Sequence, residues 1–93
     1  MPLAVLRREV YSHLHMVISI CEDEEKVRSY ISSSFKLDGY SVIETSSLSE
    51  LIDTLSINKE IKLLILDRLI GNTDSSKYLK DILNIAPHIK ILV

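Results

Sequence analysis

Acidic residues close two apolar runs in this chain. Asp67 follows Leu63-Leu64-Ile65-Leu66, and the pair Glu22-Asp23 follows Val17-Ile18-Ser19-Ile20-Cys21. In a parallel α/β sheet the carboxyl ends of the strands share one rim, and ligands bind there at the topological switch point. Two strands that both end in carboxylates would gather acid in one small crevice. A pair of bare carboxylates about 5 Å apart repels by roughly 3 kcal/mol at an effective dielectric near 20. The arrangement makes chemical sense if a divalent cation, and then a phosphoryl group, occupies the crevice.

For those carboxylates to meet, the chain has to build a parallel sheet, and helical and strand patterns do alternate after residue 16. Val27, Tyr30, Ile31 and Phe35 repeat at helical spacing, and Asp38-Gly39-Tyr40 supplies a glycine stop. Ser41 to Thr45 is a short β-branched run. Ser47-Leu48-Ser49-Glu50 reads as a capping box that opens a helix with the stripe Leu48, Leu51, Ile52 and Leu55. Asn58-Lys59-Glu60 leads into a strand from Ile61 to Leu66. Gly71-Asn72-Thr73-Asp74 reads as loop, and Asp74 or Ser75 can cap a third helix with Leu79, Ile82, Leu83 and Ala86 inward. Pro87 ends that helix, and Ile89 to Val93 begins a fourth strand. The order β-α-β-α-β-α-β implies a parallel sheet with right-handed crossovers.

The first fifteen residues stand outside the alternation. Leu3, Leu6, Val10 and Leu14 fall on one helical face, with Pro2 acceptable in a first turn. Either an added amphipathic helix or a cloning-derived leader fits, so the expected organisation is an extension over 1–15 and one domain over 16–93.

Two segments resemble a known family. Ile20-Cys21-Glu22-Asp23-Glu24-Glu25-Lys26-Val27-Arg28 is similar to the first strand and helix of bacterial response-regulator receiver domains. Leu64-Ile65-Leu66-Asp67-Arg68-Leu69-Ile70-Gly71-Asn72-Thr73-Asp74-Ser75 is similar to their phosphoacceptor strand and the loop after it. The spacing between them and the Asp38-Gly39-Tyr40 turn agree, and the resemblance covers 16–93. It implies a flavodoxin-like sheet of order 2-1-3-4, with helices on both faces. Asp67 would accept a phosphoryl group from a histidine kinase or phosphotransfer protein. Glu22 and Asp23 would hold Mg2+, directly or through water, and Leu69 would offer the metal its backbone carbonyl. Mg2+ suits such a site because it takes carboxylates, waters and phosphate oxygens in octahedral array.

The chain also departs from the family pattern. Glu22 stands where Asp is usual, and Gly71 and Ser75 replace a common Pro and Gly. The family's switch hydroxyl follows its fourth strand and its phosphate-pairing Lys ends a fifth, whereas this chain stops at Val93. A truncated receiver is therefore expected. Competing with the phosphorylated module are a pseudo-receiver that only binds or dimerises and a fragment of a longer regulator. An open fourth-strand edge and the N-terminal stripe both favour a homodimer.

Other classes can be set aside. The first β–α turn has no glycine fingerprint for a dinucleotide or P-loop nucleotide. Asp67-Arg68-Leu69 lacks the second aspartate of a haloacid-dehalogenase type of phosphatase, and no Ser-His or Cys-His arrangement has supporting context. The chain is expected not to be an enzyme. A net charge of −2 gives no footprint for nucleic acid or anionic membrane. No apolar stretch approaches the roughly 20 residues of a membrane helix, and the arginines and histidines near the N-terminus do not make a signal peptide. A single cysteine, Cys21, excludes an internal disulfide and fits a reducing compartment, so the cytoplasm is the default. Inside an apolar strand Cys21 reads as a small buried hydrophobe. His13 and His15 point to different faces of any helix, and His88 reads as a solvent-facing loop residue.

Overall fold

The computed structural model describes residues 16–93. The expected N-terminal helix, with Leu3, Leu6, Val10, Leu14 and both nearby histidines, lies outside the described residues. In chain order the elements are β1 (Val17–Cys21), α1 (Glu25–Leu37), β2 (Ser41–Thr45), α2 (Leu48–Ile57) and β3 (Ile61–Leu66). These are followed by β4 (Leu69–Ile70), β5 (Thr73–Asp74), a 3-10 turn (Ser75–Tyr78), α3 (Leu79–Ile85) and β6 (Lys90–Leu92). The main sheet has the order β2-β1-β3-β6 and every pairing in it is parallel. Its fourth strand is β6, so this is the expected 2-1-3-4 arrangement.

Strand alternation divides the apolar residues between two faces. Cys21, Leu64 and Leu66 point to one face, where they form the main core with Leu51 and Leu55 of α2 and Ile82 of α3. Ile18 and Ile20 are buried on the opposite face of β1, the side α1 covers through its contacts with β1 and β2. Helices thus lie on both faces.

Local chemistry explains the boundaries. At the end of α1, Gly39 takes a φ of +92°, and its N–H donates to the Lys36 carbonyl while that of Tyr40 donates to Phe35. This is a Schellman stop, with the Phe35 and Tyr40 rings edge-to-face at 5.7 Å as its apolar contact. Ser47 caps α2, its Oγ accepting from the Glu50 N–H at 3.2 Å.

Two local readings need correction. The segment 71–74 is not plain loop: β4 and β5 form an antiparallel hairpin, Leu69 opposite Asp74 and Ile70 opposite Thr73. Gly71 and Asn72 at its tip have φ of +53° and +67°, the signs of a type I′ turn. Its strands are two residues each, too short to leave a periodic signal. The third helix opens as a 3-10 turn capped by Asp74, whose Oδ1 accepts from the Ser76 N–H. Its α-helical part is seven residues long and centres its inner face on Ile82, which leaves Leu83 43% exposed rather than inward.

Candidate metal and phosphoacceptor site

The register of β1 and β3 brings the acidic residues together. Cys21 pairs with Leu66, so Glu22 and Asp67 are the next residues along two adjacent strands. The Asp67 N–H donates to the Cys21 carbonyl at 3.1 Å and the Glu22 N–H to the Thr45 carbonyl at 3.1 Å, which carries the ladder one step past the strand ends. One carboxylate oxygen from each of Glu22, Asp23 and Asp67 lies within 4.8 Å of the others. The three carboxylates singled out in the sequence thus share one rim. Leu69 begins the hairpin two residues after Asp67, its side chain 61% exposed.

Each carboxylate has its own environment. Glu22 is buried, and its Oε1 accepts from the Glu24 N–H at 3.2 Å. Burial pushes its carboxyl up to about 7, helped by a hydrogen bond to the Asp67 carboxyl and by repulsion from Asp67 and Asp23; the Glu24 N–H acts the other way. Asp23 is exposed, and its Oδ2 accepts from the Gly71 N–H at 3.0 Å. Asp67 is half-buried. The Cys21 thiol beneath the site is held above its ordinary value, chiefly by burial, and lies 3.5 Å from the Ser47 carbonyl. That matches the reading of Cys21 as core.

The donor set fits a hard divalent cation. Adjacent oxygens on an octahedral Mg2+ are about 3 Å apart, so small side-chain rotations, or one intervening water, close the cluster around an ion.

Several supporting groups were not evident in the sequence. Arg28 Nη1 donates to the Glu22 carbonyl at 2.9 Å, and its Nε lies 3.6 Å from Glu44 on β2. Ser75 Oγ donates to the Asp67 carbonyl at 2.6 Å. Of these only Arg28 had a signal available, as a basic residue one helical turn beyond an acidic cluster.

No protein-family model and no curated protein matches the chain. Solved structures do. A response regulator protein from Burkholderia pseudomallei, crystallised with a phosphorylated aspartic acid, a calcium ion and citrate, is similar with a TM-score of 0.78 and 18% identity over 84% of this chain and 45% of that one. The non-phosphorylated HemR receiver domain from Leptospira biflexa gives 0.71 and 18% over 82% and 60%. A response regulator receiver domain protein from Clostridium thermocellum gives 0.73 and 25% over 82% and 61%. The fold is that of response-regulator receiver domains. The chain spans between 45% and 61% of the length of these structures. Among the described residues, no helix is long and apolar enough to cross a membrane.

Proposed function

We propose that the chain is a receiver module of a two-component phosphorelay, taking a phosphoryl group on Asp67 from a histidine kinase or phosphotransfer protein in the cytoplasm. The observation that carries this is the convergence of Glu22, Asp23 and Asp67 within 4.8 Å at the carboxyl rim of a receiver fold. A carboxylate oxygen of Asp67 attacks the phosphorus of a phosphohistidine; the P–N bond breaks, the imidazole leaves, and an acyl phosphate remains. Bound beside Glu22, Asp23 and the Leu69 carbonyl, Mg2+ would neutralise the charge that builds on the phosphoryl oxygens. The chain's own part is to aim Asp67 and keep its neighbours in place, as a recipient of phosphate and not as an enzyme.

A second reading, a receiver-like interaction module that is never phosphorylated, draws on the raised Glu22 carboxyl, whose retained proton lowers the charge of the cluster without a cation. Incubation with phosphoramidate and Mg2+, followed by intact mass, separates the two. The first reading expects an adduct that hydroxylamine removes and Asp67→Asn abolishes. An unmodified chain supports the second, and an adduct that survives Asp67→Asn refutes the acceptor assignment.

Self-association belongs to both readings. Among the described residues β6 pairs only with β3, and Leu92 and Val93 beside its free edge are about 60% exposed. Such an edge is a template for a second copy. Light scattering should find a dimer that Leu92→Lys weakens; a monomer at the same concentration would exclude it.

A further inference from the structure

We propose that Ser75 is a positioning residue for Asp67, its hydroxyl fixing the peptide group from which the reactive carboxylate projects. This rests on Asp67 being the phosphoacceptor. Ser75 is fully buried, and its Oγ donates to the Asp67 carbonyl at 2.6 Å. Its N–H donates to the next carbonyl, that of Arg68, at 2.7 Å. On the other side, the Asp67 N–H is held by Cys21 of β1.

The arrangement answers a local need. The β3–β6 ladder covers only Leu63 to Ile65, so it supplies no donor to the Asp67 carbonyl. A part-buried acceptor without a donor is costly, and Ser75 fills the gap from the far end of the hairpin. The contrast with the other buried serines is informative. The hydroxyls of Ser19 and Ser32 have no partner, so a buried serine in this chain does not find one by default. With its N–H tied to β1 and its carbonyl tied to Ser75, Asp67 is clamped on both sides of its Cα, which restricts the direction of its side chain. Phosphoryl transfer depends on such aim: a displacement of about 1 Å can cost on the order of 100-fold in rate.

The experiment uses the whole chain with phosphoramidate and Mg2+. Ser75→Ala should lower the limiting rate of adduct formation about tenfold or more, without raising the donor concentration needed for half-maximal rate. Mg2+ affinity, read from amide shifts at residues 22–24, should stay within about twofold, and Ser75→Thr should restore the rate. If Ser75→Ala does not fold, Ser75→Cys, similar in volume and a weaker donor, serves for the same comparison. A wild-type rate in the variant, or a loss of Mg2+ affinity in step with the rate, overturns the proposal. The three-bond couplings of the Asp67 methylene protons give a readout independent of phosphorylation. One χ1 rotamer in the wild type and averaging in Ser75→Ala is expected. If the wild type forms no adduct, the acceptor reading fails by itself, and a single rotamer in both proteins overturns the role of Ser75.

Discussion

The carboxyl groups of Glu22 and Asp67 meet across the ends of β1 and β3, an oxygen of each lying within 4.8 Å of the other. Burial, with the Asp67 carboxyl beside it, holds the Glu22 carboxyl up to about 7, so Glu22 keeps its proton below that pH. A cation entering the cluster must displace that proton, because a metal ligand is deprotonated when bound. Mg2+ binding should therefore release about one proton at pH 6, and affinity should fall by up to about tenfold per unit as pH drops from 7 towards 5. Calorimetry in two buffers of different ionisation enthalpy measures the proton count. Equal uncorrected heats in the two buffers would mean that no proton is released and that Glu22 is not part of the site.

The same proton governs stability without metal. The folded Glu22 keeps it up to about pH 7, while the unfolded side chain releases it near 4.5. Between those values the native state binds more protons than the unfolded one, so stability falls as pH rises through that window. The whole change is about 3 kcal/mol. In Glu22→Gln the fall should vanish, and above pH 7 the variant should unfold at higher urea than the wild type. Parallel urea midpoints for the two proteins from pH 4 to 8 would contradict the assignment.

The hairpin tip can be tested by backbone chemistry alone. Nothing lies within 4 Å of a Cβ built on Gly71, yet its φ is +53°. Gly71→Ala should therefore cost about 1 kcal/mol from conformation without any clash. Asn72→Gly, at the other left-handed position, should be neutral or slightly stabilising. A neutral Gly71→Ala would show that the turn relaxes to another type.

The Ser47 cap provides a test remote from the site. Ser47→Ala removes the acceptor for the Glu50 N–H and should cost about 1 kcal/mol in urea unfolding. Mg2+ titration should be unaffected. A change in Mg2+ affinity would mean that the contact of Cys21 with Ser47 transmits strain into the crevice.

Much of this was legible in the sequence because it depended on short-range pattern. The bounds of β2 and β3, the glycine stop at Gly39 and the Ser47 cap each depend on a few adjacent residues. The meeting of Glu22, Asp23 and Asp67 followed from strand ends sharing a rim, which parallel topology imposes on any such sequence. What escaped was set by distant partners. Asp23 finds the Gly71 N–H 48 residues away, and nothing around either residue announces it. The clamp from Ser75 to Asp67 exists only because a two-residue hairpin folds back on itself. Leu83 has the right residue type for an inner face, but α3 centres that face on Ile82, and the next residue along a helix is turned about 100° away.

Asp23 has a consequence for ion selectivity. Its Oδ2 spends a lone pair on the Gly71 N–H, which disfavours both oxygens of that carboxylate gripping one ion. Ca2+ takes 6–8 oxygens and often draws two from a single carboxylate, whereas Mg2+ needs near-ideal octahedral geometry and keeps several waters. By holding the hairpin, Asp23 would bias any cation bound in the crevice towards the smaller, more hydrated one. Selectivity here would come from a backbone amide that touches no metal.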